Sequence, residues 1–381
     1  MTSKQMIPCT IMRGGTSKGL FFLEKDIPPA GEERDRLLME LMGSPDKKQI
    51  DGLGGAVSVT SKVAILSVSD REDADVDYTF AQVSVDKPLV SYKGNCGNIS
   101  SAVGPFAIEK GLVRISGSKT KVRIYNTNTD KIIISEVNTE GGAVRYDGSF
   151  SIAGVPGTAS AVKLSFVHPA GSVTGRLLPT GNACDVLEVP GVGSVRVSIV
   201  DAANPLVFVK AEDLGLTGAE LPAQLDADES ALERLEAVRG MAAVKLGLIE
   251  DYKRSAWDSP GVPKMTFVSK PADYVTSSDT EVKAEEIDLM SRMMSMQKTH
   301  PTYAMTGAMC TVAAAVIPGS IVNQVLSPDA DPSLIRIGHP GGILPAGVEF
   351  ASSDGGVEIE QTYGFRTANL LMDGVAYYHG R

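Results

Sequence analysis

Ser61-Lys62-Val63-Ala64-Ile65-Leu66-Ser67 has a counterpart 202 residues later, Pro263-Lys264-Met265-Thr266-Phe267-Val268-Ser269, and in both a lysine enters an apolar, β-prone run. Three further matches flank this pair in the same order. Upstream, Thr10-Ile11-Met12-Arg13-Gly14-Gly15, continuing through Leu20-Phe21-Phe22-Leu23-Glu24-Lys25-Asp26-Ile27, resembles Ser198-Ile199-Val200-Asp201-Ala202-Ala203, continuing through Leu206-Val207-Phe208-Val209-Lys210-Ala211-Glu212-Asp213-Leu214. Each reads as strand, turn, strand and acidic stop. Downstream, a helix of small residues starts at Gly97-Asn98-Ile99-Ser100-Ser101-Ala102-Val103 and again at Gly307-Ala308-Met309-Cys310-Thr311-Val312-Ala313, and Val122-Arg123-Ile124-Tyr125-Asn126 resembles Ile335-Arg336-Ile337-Gly338-His339. The offset grows steadily, from 202 at Lys62 and Lys264 to 213 at Arg123 and Arg336. Four short matches in one order predict two structurally similar halves.

Those halves are expected over residues 1–190 and 191–381, joined near Pro190-Gly191-Val192-Gly193, with C-terminal strands able to pack back on the first half and a ligand cleft between the two. The fold class is α/β or α+β. Glycines (39) and prolines (21) punctuate short β-like runs such as Ile132-Ile133-Ile134 and Val195-Arg196-Val197-Ser198-Ile199-Val200. Apolar spacings of three and four predict helices over Glu32 to Met42, Ser230 to Leu246 and Ala284 to Met296.

Bulk properties remove several function classes. No run of about 18 apolar residues occurs, and Met1-Thr2-Ser3-Lys4-Gln5 does not lead into the apolar stretch of a secretory signal, so a cytoplasmic protein is expected. Cys9, Cys96, Cys184 and Cys310 contain no CxxC, and His168, His300, His339 and His379 show no ligand spacing. Neither a disulfide framework nor a metal site is predicted, and no cofactor fingerprint is present. A formal net charge of −10 with no Lys/Arg cluster argues against nucleic acid. If the ligand is an anion, the whole-molecule field opposes it, and the site must carry its own positive potential.

Lys93-Gly94-Asn95-Cys96-Gly97-Asn98 puts a thiol between glycines where a strand turns into a helix. The first N–H groups of a helix lack intrahelical partners and accept a carboxylate, and the same positive end favours thiolate. Cys96 is therefore a candidate proton-transfer base, the competing reading being a buried cysteine beside a structural turn. Lys62 falls within Val57–Leu66, which reads as a strand; a lysine there either snorkels to water or serves as a functional ammonium at a strand end. Its recurrence as Lys264 favours a pair that supplies the missing positive charge. The loop Arg13-Gly14-Gly15-Thr16-Ser17-Lys18-Gly19 lacks phosphate-loop spacing but offers Arg13, Lys18, two hydroxyls and glycine N–H groups to a carboxylate, with a hairpin turn as the plain alternative. For His300 and His339 a turn role outweighs a substrate contact, and Cys184 and Cys310 read as structural.

Gly94-Asn95-Cys96-Gly97-Asn98-Ile99-Ser100-Ser101-Ala102-Val103-Gly104-Pro105-Phe106-Ala107, Met12-Arg13-Gly14-Gly15-Thr16-Ser17-Lys18-Gly19, Ser61-Lys62-Val63-Ala64 and Pro169-Ala170-Gly171-Ser172-Val173-Thr174-Gly175 resemble the PrpF-type isomerases over nearly the whole chain. That family includes 3-methylitaconate Δ-isomerase, 2-methylaconitate cis-trans isomerase and 4-oxalomesaconate tautomerase. The resemblance implies a diaminopimelate epimerase-like fold, each half a curved sheet wrapped around a central helix. It also implies a catalytic pair on Lys62 and Cys96. An epimerase of that kind uses one thiol from each half; here the position matching Cys96, around Met305-Thr306-Gly307, has none, which disfavours two-thiol racemisation.

The resulting expectation is a cofactor-independent isomerase that shifts a proton and a double bond in a small di- or tricarboxylate, such as 3-methylitaconate to 2,3-dimethylmaleate. Cys96 and Lys62 would be catalytic. Arg13, Thr16, Ser17, Lys18, Asn95, Gly97, Asn98, Lys264, Thr306, Gly307 and Ala308 would bind substrate, and the chain would form a homo-oligomer without nucleic-acid or membrane partners. A non-catalytic carboxylate-binding protein is the alternative from another class.

Overall fold

A computed structural model describes residues 4–92, 95–295, 297–353 and 356–380. The chain forms two compact units, Met1–Ser165 with Phe365–Arg381, and Phe166–Gly364. The division falls at Ser165/Phe166 where the sequence reading put it near residue 190. Pro190-Gly191-Val192-Gly193 is instead a hairpin turn inside the second unit, closed by Val192 N donating to Val189 O with Gly191 and Gly193 at positive φ.

In the first unit, β1 (Gln5–Gly14) and β2 (Ser17–Leu23) form an antiparallel hairpin, β2 pairs in parallel with β3 (Lys62–Val68), and β3 pairs antiparallel with β4 (Val76–Val83). Next, β4 pairs in parallel with β5 (Lys119–Asn126) and β5 antiparallel with β6 (Lys131–Glu140). Parallel neighbours need a long crossover, and each here contains a helix: α1 (Glu32–Met42) between β2 and β3, and α2 (Gly97–Glu109) between β4 and β5. The second unit repeats this. After β7 (Asp185–Val189), the strands β8 (Gly193–Asp201), β9 (Pro205–Lys210), β10 (Lys264–Ser269), β11 (Leu289–Ser295), β12 (Ile335–His339) and β13 (Gly342–Ser353) pair in the same antiparallel, parallel, antiparallel, parallel, antiparallel sequence. Helices α3 (Glu229–Lys245) and α4 (Met305–Ala315) occupy the two crossovers.

Side-chain detail repeats as well. Arg123 donates to Asp75 and to Glu72 O, and Arg336 donates to Asp288 and to Glu285 O, so one offset of 213 relates all three positions. Strand β14 (Gly356–Tyr378) begins in the second unit against β13, and its residues from Phe365 on belong to the first, where they run antiparallel to β1.

The central helices explain their own composition. Every residue of α2 from Ile99 to Ile108 is buried, and strands β1, β2, β3, β5 and β6 all contact the helix, so small side chains let the sheet close around it. A Cβ on Gly104 would stand 2.4 Å from the Ser135 hydroxyl. The core beneath α1 joins Leu37, Leu38, Leu41 and Met42 to Leu20, Phe22, Val63 and Ile65.

Two expectations are corrected. The predicted helix over 284–296 is a single 3-10 turn at Ala284–Glu286 followed by β11; Met296 lies outside the described residues. Residues 287–294 are buried without interruption, Asp288, Ser291 and Arg292 included, so the segment shows no alternation to mark it as a strand, and pairing of Met293 with Thr266 decides it. The strand expected from Val57 starts only at Lys62, because Ser58–Thr60 forms a 3-10 turn.

Candidate active site

The first unit gathers three of the predicted segments. Gly15 and Thr16 form a two-residue hairpin tip between the paired residues Gly14 and Ser17, with Gly15 at φ +52°. This tip packs on the start of α2: a Cβ on Gly14 would come within 2.4 Å of Asn98 O, and one on Gly15 within 2.2 Å of Asn98 Oδ1. Gly19 faces Lys62 across the parallel pair, and a Cβ there would lie 2.7 Å from Lys62 O and 3.2 Å from Ile99 Cδ1. The glycines are therefore explained by close approach, and that approach places the hairpin, the head of β3 and the first turn of α2 in contact.

Cys96 immediately precedes α2 in extended conformation, and its carbonyl accepts from Ser100 N at 2.9 Å and from the Ser100 hydroxyl at 3.0 Å. Asn95 Oδ1 accepts from the same hydroxyl, which fixes the approach to the helix; Lys93 and Gly94 lie outside the described residues. The Cys96 thiol is half-buried and free. Cys9 and Cys310 are also free but buried: desolvation, with Asp373 adding to it, pushes the Cys9 thiol up to about 12, and burial pushes Cys310 up too. A buried neutral thiol is a poor nucleophile or base, which separates Cys96 from these two; Cys184 is half-buried as well but lies away from any helix start, with Arg196 Nη2 at 3.7 Å from its sulfur.

Lys62 is the first residue of β3 and is 9 % exposed. Its Nζ donates to Gln82 Oε1 at 2.6 Å and sits 5.2 Å from the centroid of the Phe80 ring, and no carboxylate pairs with it among the described residues. Gln82, directly opposite on β4, is held by Nε2 donating to Ser58 O, Ser61 O and Val83 O at 3.1, 3.0 and 3.3 Å. A neutral amide and an aromatic face thus fix the ammonium while leaving its charge for an anion. Sequence reasoning missed Gln82, because only strand register puts it beside Lys62.

Other predicted residues have structural tasks. Arg13 Nη1 donates to Gly15 O, Thr367 O and Thr367 Oγ1, tying the hairpin tip to β14. Asn98 Nδ2 donates to Thr16 Oγ1 at 3.0 Å. Ser17 is buried and Lys18 half-buried. Arg366 was not foreseen: it is 6 % exposed, and its Nε donates to Asn98 Oδ1 at 3.2 Å.

In the second unit Lys264 heads β10 as Lys62 heads β3, opposite Leu206, and is half-buried. The residue immediately before α4 is Ala304, which corrects the expected match to Cys96 by at least one residue; no thiol stands there either. Thr306 is half-buried, and Gly307 and Ala308 are buried in the first turn. The Pro169–Gly175 motif wraps a carboxylate of the chain itself: Ser172 N, Val173 N, Thr174 N and both hydroxyls donate to Asp201. His300 and His339 each accept from a backbone N–H two residues on, as turn residues do. Among the described residues no three His, Cys, Asp or Glu side chains form a metal-ligating group, and no helix is long and apolar enough to cross a membrane.

A duplicated α+β fold with a free thiol at the head of one central helix and, at the head of a strand contacting that helix, a buried lysine with no carboxylate partner among the described residues has the layout of a proton-transferring isomerase. The chain belongs to the PrpF family, whose model, described as PrpF protein, matches residues 4–379. It is 46% identical to 3-methylitaconate isomerase of Eubacterium barkeri, over 99% of this chain and 98% of that one. A crystal structure of methylitaconate-delta-isomerase superposes with a TM-score of 0.88 at 46% identity, covering 99% of this chain and 96% of the other. A hydroxyproline epimerase from Agrobacterium vitis, at 14% identity and a TM-score of 0.53 over 99% of this chain and 94% of its own, shares the fold alone.

Proposed function

We propose that the protein is a 3-methylitaconate Δ-isomerase, moving a proton within the allylic system of a small unsaturated dicarboxylate, with Cys96 and Lys62 as the proton-transferring pair. The observations that carry this reading are a half-buried thiol at the start of a 13-residue helix and, at the head of a strand that contacts that helix, a buried ammonium that has no carboxylate partner among the described residues.

The reaction breaks one C–H bond and forms another. The hydrogen on the carbon that bears a carboxylate and adjoins the C=C bond leaves as a proton, the double bond moves inward, and the terminal methylene carbon takes up a proton to become a methyl group. The difficulty is the extra negative charge of the dienolate that links these steps. The N–H groups of Gly97 and Asn98 point out of the α2 terminus, and the Lys62 ammonium adds a full charge, so both oppose the developing charge without reorganising. Removing a proton-transfer group costs on the order of 10²–10⁴ in rate. The test is kcat for Cys96→Ser and Lys62→Ala on 3-methylitaconate, with 2-methylaconitate and 4-oxalomesaconate as competing substrates; faster turnover of either competitor would replace the substrate assignment and keep the mechanism.

A further inference from the structure

Among the described residues four arginines are buried, and two of them have a carboxylate close by. Arg34 and Arg239 are 3 % and 2 % exposed and pair with Glu24 and Glu236 at 3.2 and 2.5 Å. Arg292 has no carboxylate: its Nε donates to Glu220 O and its Nη1 to Ser291 O and Gly338 O, it lies over the Tyr274 ring at 5.1 Å, and its Nη2 is buried without an acceptor among the described residues. Arg366 is the second exception, and it lies in the first unit, against the start of α2. Its Nη1 donates to Phe365 O at 3.0 Å and its Nε to Asn98 Oδ1 at 3.2 Å, and Nη2 has no acceptor among the described residues. Burial alone depresses its guanidinium to about 10, the mark of a charge without a counter-ion.

Its position gives this a meaning. Arg366 lies against Gly15, where a Cβ would come within 3.2 Å of its Cδ, and it is bonded to Asn98 in the first turn of α2, two residues after Cys96. Asn98 in turn is held by Thr16, so helix, hairpin tip and β14 meet at this guanidinium. Two independent sources of positive potential converge on one spot, a helix N-terminus and a buried arginine lacking an acid.

We propose that Arg366 is a substrate-binding residue, taking one carboxylate of the dicarboxylate together with the N-terminus of α2, with Asn98 as the positioning residue that aims it. The inference rests on the functional reading above and assigns its carboxylate site. It also answers how a protein of net charge −10 attracts an anion: the site holds a charge that the protein leaves unneutralised.

The experiment compares two ligands by calorimetry: 3-methylitaconate, and its half-amide in which one carboxylate is replaced by a neutral group. Arg366→Gln is expected to weaken binding of the diacid about ten- to a hundred-fold, the range of a charge-assisted hydrogen bond, while binding of the half-amide that lacks the contacting carboxylate stays within about two-fold. Both half-amide isomers are measured. A purely structural arginine would lower all affinities together, and that result, or unchanged diacid binding, overturns the proposal. Asn98→Asp guards against misfolding: it supplies the missing carboxylate from within, so the melting temperature should rise and diacid affinity should fall by ten-fold or more. An Asn98→Asp protein that binds the diacid as tightly as the unaltered one also overturns it. Failure of the unaltered protein to bind the diacid at all would remove the functional reading and this inference with it, an outcome distinct from the preceding two.

Discussion

Gln82→Leu removes the one side-chain acceptor that the Lys62 ammonium has among the described residues and keeps the volume of the strand residue nearly unchanged. The lost bond is short, 2.6 Å, and made to a charged group that is 9 % exposed, a setting in which a hydrogen bond is worth about 1.5–3 kcal/mol. Among the described residues the Phe80 ring then remains to place the ammonium, and its face attracts a cation from a range of positions. If the bond serves to hold Lys62 where a proton moves, its loss is felt in the transition state, and about 1.4 kcal/mol per ten-fold predicts a fall in kcat of about ten- to a hundred-fold. KM should move by less than three-fold or so, since the ammonium charge itself is retained. The assay is steady-state turnover followed by loss of the vinylidene proton signals, with a thermal melt to confirm folding. Gln82→Asn is expected to fall between, because it keeps the acceptor but shortens its reach. A folded Gln82→Leu protein with unaltered kcat would refute the claim that Lys62 must be positioned, and with it the role given to Lys62.

Iodoacetamide at neutral pH is expected to label Cys96 and Cys184 in the folded protein while Cys9 and Cys310 stay unmodified, and substrate should protect Cys96 alone; mass spectrometry of the digest reads this directly. Lys62→Ala should lower kcat by 10²-fold or more, about what a proton-transfer group contributes, whereas Lys264→Ala should raise KM with kcat retained. Turnover is expected to survive EDTA and dialysis, and restoration by one metal after complete loss would contradict this. Asp373 accepts from Lys110 Nζ and the Thr10 hydroxyl, and those bonds hold its carboxyl below the ordinary value of about 3.9. A depressed folded value means that its contribution to stability is complete above that ordinary value and is lost as pH falls through the lower folded one, so Asp373→Asn should flatten this part of the acid-unfolding curve.

The duplication could be read from the sequence because each match lies within a few consecutive residues whose pattern survives: a lysine at the head of a strand, an arginine in the middle of a later one. The 13–19 loop was legible as a hairpin turn, but the close approach to α2 that its glycines serve was not. Cys96 at a helix start was legible from local signals for the same reason. The 284–296 segment was not, because burial on both faces erases the alternation by which strands are recognised. Gln82 and Arg366 were invisible for a different reason. Gln82 is defined by a cross-strand register with Lys62, and Arg366 meets Asn98 across 268 residues of chain, so neither carries any mark in its own neighbourhood. Arg13 shows the converse: its surroundings suggested an anion site, while the fold uses its Nη1 to brace the hairpin.

Proton NMR of 3-methylitaconate incubated with the protein in D2O tests the central claim most directly, because it reports turnover and the carbons that exchange together. The account predicts loss of the vinylidene signals, appearance of a product methyl carrying deuterium, and no such change with Cys96→Ser. Contradiction would be Cys96→Ser exchanging as fast as the unaltered protein, or an unaltered protein that leaves 3-methylitaconate, 2-methylaconitate and 4-oxalomesaconate all unchanged.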